Sequence, residues 1–173
     1  MDPKEFCSKL PGVVGFPITP FHADLSLDLD GLRSNVASMV KQPFTTIVAA
    51  GGTGEMYSLT NEEHVAVVKA VVEAVDGKIP VIAGTGFNRA TGAELARQSA
   101  AVGASAILAF PPYYPGAHFD GLFDYYKAIG DATSLGLMIY SRDWAKFSPA
   151  QVEKLTEIEN FVCWKEGLAD IRA

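Results

Sequence analysis

Thr45-Thr46-Ile47-Val48-Ala49-Ala50 runs directly into Gly51-Gly52-Thr53-Gly54-Glu55. The first six residues are β-branched or apolar, as in a strand buried on both faces, and the glycines end it in a turn. Thr60 then stands three residues before Glu63, the spacing at which a hydroxyl and a carboxylate each cap the other's backbone amide at a helix start. Val65, Val68, Val72 and Val75 follow at helical spacing as far as Gly77. Strand, glycine turn and capped helix make one βα unit, and the fold follows from whether that unit recurs.

It recurs in both directions. Upstream, Val13 to Thr19 reads as a strand ending at Pro20, and a helix is predicted from about Asp28 to Lys41 with Leu32, Val36, Met39 and Val40 as its apolar stripe. Downstream, Pro80 to Gly84 is a strand running into Thr85-Gly86, and Thr91 with Glu94 repeats the capping pattern before a helix ending near Gly103. Ser105 to Phe110 is the next strand, followed by Pro111-Pro112-Tyr113-Tyr114-Pro115 and a helix from Phe119 to Asp131. Gly136 to Tyr140 is a fifth strand. Ser148-Pro149-Ala150-Gln151 then starts a helix to about Glu159, and Phe161 to Lys165 is a sixth strand. The strand ends lie 25 to 34 residues apart, the spacing of right-handed βαβ units. Residues 1–173 therefore read as one α/β domain with no linker, either a doubly wound sheet or a (β/α)8 barrel cut short. Both architectures gather chemistry at the carboxyl ends of their strands.

Composition narrows the partners. Hydrophobic residues are 49% of the chain and charged ones 20%, with a net charge of −6 and no Lys/Arg run, so neither nucleic acid nor an anionic membrane is favoured as a partner. Cys7 and Cys163, the only cysteines, argue for a reducing compartment and against a disulfide framework. Met1 to Leu10 is polar and lacks the basic-then-apolar pattern of a leader. The expected location is the cytoplasm.

At the strand ends, Lys165 closes the apolar run Phe161-Val162-Cys163-Trp164. Alternation would put Phe161, Cys163 and Lys165 on one face. Apolar surroundings disfavour an ammonium, and a neutral amine is the nucleophile that forms a Schiff base with a ketone. The competing reading is a strand-end lysine reaching into water. Tyr140 closes the fifth strand, and a phenol there could shuttle protons or simply cap the barrel end. The Gly51–Glu55 turn fits no nucleotide-binding fingerprint; its amides and the Thr53 hydroxyl could grip a carboxylate. Gly84-Thr85-Gly86 reads as a plain turn. Arg142 could hold a carboxylate or pair with Asp143, and Tyr113 and Tyr114 could reach a site or a neighbouring subunit. His22, His64 and His118 have no ligand spacing, so no metal is expected, and no serine is bracketed as G-x-S-x-G.

Gly51-Gly52-Thr53-Gly54-Glu55, Ala83-Gly84-Thr85-Gly86, Pro112-Tyr113-Tyr114, Tyr140 and Lys165 together resemble the dihydrodipicolinate synthase / N-acetylneuraminate lyase family of Schiff-base aldolases. The resemblance runs from Val13 to Ala173. It implies a (β/α)8 barrel, of which this chain would supply about six strands and five helices, in a homo-oligomer, usually a tetramer. It also implies Lys165 as the Schiff-base lysine, Tyr140 as the proton relay and Gly52 and Thr53 as the carboxylate grip, with no cofactor. Synthases of the family usually carry two threonines where this chain has Gly52-Thr53. Its glycine turn, Tyr140–Asp143 and Lys165–Ile171 look most like the members that dehydrate and decarboxylate a keto sugar acid. Those members usually have Lys-Asp-Gly where this chain has Lys165-Glu166-Gly167. A barrel cut after its sixth strand would leave the first and sixth strands as unpaired edges.

Overall fold

In the computed structural model, residues 1–112 and 116–167 are described. Six parallel strands lie side by side in chain order: β1 (Val13–Gly15), β2 (Phe44–Ala49), β3 (Val81–Thr85), β4 (Ala106–Ala109), β5 (Gly136–Ser141) and β6 (Phe161–Glu166). A doubly wound sheet reverses its order at a switch point. This one does not, and its two faces are covered differently. Ile47, Ala49, Val81, Ala83, Ile107, Ala109, Leu137 and Ile139 form one core with the helices. The alternate residues Val48, Ile82, Ala106, Leu108 and Met138 form a second core on the other side. The architecture is the curled sheet of a partial (β/α)8 barrel.

The helices are α1 (Pro3–Lys9), α2 (Leu29–Met39), α3 (Asn61–Val75), α4 (Arg89–Ala101), α5 (Phe119–Asp131) and α6 (Pro149–Leu155). Among the described residues that is one more than the five or so expected, because Met1 to Leu10 is not merely a polar lead-in. Asp2 caps α1 by accepting from the Lys4 and Glu5 amides, and Phe6 is fully buried in the second core. Seven residues do not hold a helix unaided; the buried ring docks this one against β5 and β6.

Thr60 and Glu63 form the expected capping box on α3, and Ser148 and Gln151 form one on α6. Four local readings change. Asn88, not Thr91, caps α4: its side-chain oxygen accepts from the Thr91 amide at 2.9 Å while its nitrogen donates to the Thr91 hydroxyl at 3.0 Å. The buried face of α3 comprises His64, Val67, Val68, Ala70, Val71 and Val75, leaving Val65 and Val72 at its margin. The first strand stops at Gly15 rather than Thr19, and α6 stops at Leu155 rather than Glu159.

The most consequential change is in β6. Leu137 pairs with Phe161, but Met138 pairs with Cys163, so Val162 is an extra residue. Such a bulge turns every later side chain to the opposite face. Phe161 consequently packs on the helix side, whereas Val162 and Cys163 join the inner core. Phe161 and Lys165 do not share a face, contrary to simple alternation.

Candidate active site

Beyond the bulge, Lys165 lies on the inner side as the register partner of Tyr140 on β5. Its Nζ sits 3.5 Å from the centroid of the Tyr140 ring and 5.8 Å from that of Phe16, both within cation–π range. The amine thus rests over aromatic faces at the strand ends. It borders a cleft of about 460 Å³ lined by Phe16, Gly52, Thr53, Phe110, Tyr140, Arg142 and Lys165.

Each lining residue is delivered by the end of a strand. Ala50 leaves β2 with φ of 47°, in the left-handed region. The Glu55 amide then donates to the Gly52 carbonyl at 3.1 Å and the Met56 amide to the Gly51 carbonyl at 3.2 Å. The turn so closed leaves Gly52 and Thr53 exposed on the cleft wall. After β5, Asp143 takes φ of 53° and the Ala145 amide donates to the Arg142 carbonyl at 2.9 Å. This tight turn brings Arg142 back to the cleft, with its guanidinium carbon 5.4 Å from the Tyr140 ring centroid. Its Nε donates to Asp143 at 2.7 Å, while Nη1 is 3.9 Å from where a Cβ on Gly52 would lie. Arg142 therefore pairs with Asp143 and also faces the cleft.

The β5 and β6 ends are tied together beside the site. Ser141 donates from Oγ to Glu166 Oε2 at 3.1 Å, and the Gly167 amide donates to the Ser141 carbonyl at 2.8 Å. A Cβ on Gly167 would fall 2.7 Å from that carbonyl oxygen and from Tyr140 Cε2, so only glycine fits after Glu166.

Lys165, Tyr140, Gly52, Thr53 and Arg142 are thus brought together around one cleft. Tyr113 and Tyr114 lie outside the described residues. Sequence reading missed Phe16 and Phe110, which supply the aromatic walls; Phe110 and Tyr140 meet edge to face at 5.2 Å. Each directly follows a strand and precedes a proline, whereas the sequence alone places both within a strand. A larger cavity of about 830 Å³ opens at the opposite end of the sheet, among α1, Asn160, Phe161 and Val162, but the amine, phenol and guanidinium all lie in the smaller cleft. An amine on an aromatic wall, a neighbouring phenol, an exposed threonine and a guanidinium suit carbonyl addition with carboxylate recognition. Among the described residues no group of three or more His, Cys, Asp and Glu could hold a metal ion, and no helix is long and apolar enough to cross a membrane.

Residues 9–173 match the model of the dihydrodipicolinate synthetase family. A relative from Bradyrhizobium sp. (strain ORS 278), named "Probable 5-dehydro-4-deoxyglucarate dehydratase", is 38% identical over 173 residues, covering 99% of this chain and 55% of its own. One from Streptomyces coelicolor with the same name, numbered 1, is 39% identical over 160 residues, covering 92% and 51%. Among solved structures, dihydrodipicolinate synthase from Oceanobacillus iheyensis superposes with a TM-score of 0.91 at 31% identity, over 99% of this chain and 57% of that one. N-acetylneuraminate lyase from Mycoplasma synoviae does so with 0.85 at 32%, over 94% and 56%. The chain spans about half the length of the curated relatives it matches.

Proposed function

The chain belongs to the dihydrodipicolinate synthetase family, and from that premise we propose that it carries the Schiff-base site of a lyase acting on a keto sugar acid, 5-dehydro-4-deoxyglucarate. The observation behind this reading is Lys165 Nζ 3.5 Å from the Tyr140 ring centroid, in a cleft that also holds Thr53 and Arg142. The names of the relatives from Bradyrhizobium and Streptomyces support the choice of substrate.

In the proposed reaction the Lys165 amine adds to the ketone beside one carboxylate and expels water as the imine forms. The protonated imine withdraws electrons from the neighbouring methylene. A proton leaves that carbon and the β-hydroxyl departs as water, leaving a carbon–carbon double bond conjugated with the imine. The far carboxylate then leaves as carbon dioxide with its bonding pair passing into the conjugated imine, and reprotonation, tautomerisation of the enol so formed to the aldehyde and hydrolysis of the imine give 2,5-dioxopentanoate and return the amine. Tyr140 would pass protons to and from the addition intermediate and the departing hydroxyl. Gly52, Thr53 and Arg142 would hold the carboxylate next to the ketone. No step requires a metal or an organic cofactor. The whole protein would work in the cytoplasm as a homo-oligomer, a tetramer by resemblance.

Borohydride reduction in the presence of 2-keto acids tests the site. Mass added at Lys165 is expected, and its absence with every keto acid tried would leave a catalytically silent barrel fragment. Product analysis tests the reaction. Carbon dioxide without pyruvate is expected. Pyruvate release would favour a retro-aldolase instead, the chemistry suggested by the likeness to N-acetylneuraminate lyase.

A further inference from the structure

One buried polar residue is unused by this chemistry yet stands close behind the site. His64, in the first turn of α3, is 1% exposed. Its Nε2 lies 2.7 Å from the Gly84 carbonyl oxygen, so Nε2 bears the proton and donates. Burial, opposed by the Gly84 hydrogen bond, lowers its pKa and so favours the neutral ring. Nδ1 is buried with no hydrogen-bond partner among the described residues. Leaving such an atom unsatisfied is unfavourable, a cost that a valine facing the core of the same helix would not incur.

What the imidazole holds is the wall behind the glycine turn. A Cβ on Gly84 would fall 2.2 Å from the Ala50 oxygen, 3.0 Å from its carbonyl carbon and 3.2 Å from Gly51 Cα. The Gly84 backbone is therefore seated directly against the left-handed residue that starts the turn. On the other side, the His64 amide donates to the Thr60 carbonyl at 2.9 Å, inside the capped first turn of α3. Contact runs without a gap from the start of α3 through the imidazole and Gly84 to Ala50, Gly51 and the cleft.

From this geometry we infer that His64 is a positioning residue for carboxylate recognition: its Nε2–H fixes the Gly84 carbonyl, and with it the Ala50–Gly51 backbone, so that Gly52 and Thr53 meet the carboxylate of a keto acid at one place. The inference rests on the reading of that turn as the carboxylate grip. Because His64 acts through backbone, its loss should weaken capture of carboxylate-bearing ketones and spare ketones that lack the group.

The full chain and two variants test this. His64→Asn is too short to reach Gly84, whereas His64→Gln can place an amide nitrogen near the position of Nε2. Borohydride trapping at Lys165 is measured against the concentration of pyruvate and of hydroxyacetone, which has no carboxylate. Losing one such hydrogen bond corresponds to as much as about tenfold in apparent affinity. The pyruvate concentration for half-maximal trapping should rise by up to about that factor in His64→Asn, with the saturated rate and hydroxyacetone trapping little changed, and His64→Gln should recover most of the loss. Equal losses with both ketones, or no loss with pyruvate, would overturn the assignment. Hydrogen exchange at the Glu55 and Met56 amides, which close the turn, supplies a readout independent of the chemistry. It should quicken in His64→Asn relative to amides of β4 and return towards wild type in His64→Gln. If the wild type traps neither ketone, the Schiff-base reading falls, and exchange alone decides whether His64 steadies the turn. Should His64→Asn not fold, nitrogen NMR of the wild-type ring decides: an Nε2–H tautomer is expected, and an Nδ1–H tautomer overturns the hydrogen bond on which the inference depends.

Discussion

Gly84→Ala is the most demanding test of how the cleft is built. The new methyl would lie 2.2 Å from the Ala50 oxygen, whereas carbon and carbonyl oxygen ordinarily stay about 3.3 Å apart. The two backbones must therefore part by about 1 Å. No side chain can absorb that shift, because the nearest atoms all belong to the Ala50 and Gly51 backbone. Nor can β3 retreat freely, since it is paired with β2 on one side and β4 on the other and all five of its residues are buried. Overpacking of this kind costs about 1–3 kcal/mol, to be read as a lower urea midpoint. Ala50 and Gly51 lie beyond the paired residues of β2, so the turn that presents Gly52 and Thr53 takes up the displacement. A misplacement of about 1 Å at a reacting centre costs up to about 10²-fold in rate, to be read as slower borohydride trapping of pyruvate at Lys165. A variant with stability within about 0.5 kcal/mol of wild type and unchanged trapping would refute the claim that the Gly84–Ala50 contact sets the turn.

Three further outcomes follow from buried groups. Phe6→Ala empties a fully buried site in the inner core and should cost about 3–5 kcal/mol in urea unfolding; near-native stability would mean that α1 is not docked. Native His64 has a pKa below the ordinary 6.5 because of burial, whereas the unfolded chain takes up a proton there near that value. Its contribution is therefore fully present above about pH 6.5 and is lost as pH falls towards the lower native pKa, by at most about 1.4 kcal/mol per pH unit. Denaturation of wild type and His64→Gln across that range should diverge accordingly, and parallel curves would contradict a buried neutral ring. Burial, with a smaller contribution from Cys7, pushes the Cys163 thiol up to about 11, so at pH 8 roughly one molecule in a thousand is thiolate. Its alkylation by iodoacetamide should rise about tenfold per pH unit towards that value, and a plateau below about pH 9 would show that burial does not control it.

Local features were legible where their partners are close in sequence. The caps at Thr60 and Ser148 each pair residues three apart, so their spacing shows directly. At α4 two such pairs were available, and Asn88 with Thr91 prevails over Thr91 with Glu94, a competition that spacing does not decide. α1 escaped notice because only one of its residues, Phe6, is fully buried and that ring is held by strands more than a hundred positions away. Lys165, Tyr140, Gly52, Thr53 and Arg142 were recognisable as strand-end residues of suitable chemistry. The flanking Phe16 and Phe110 resemble ordinary core residues until the sheet curls and their rings meet the cleft.

The sequence by itself determined the alternation of strand and helix, most of the helix starts and which chemical groups stand at the strand ends, because periodicity, capping and turn chemistry act over a few residues. Tertiary structure alone decided that the strands follow one another in a single direction and that the extra residue at Val162 turns Lys165 inward beside Tyr140. Only there was the Gly84 backbone pressed against Ala50 and joined to His64. Register and close packing depend on contacts between residues far apart in the chain, and a one-residue shift, invisible to local pattern, reverses the face on which a side chain emerges.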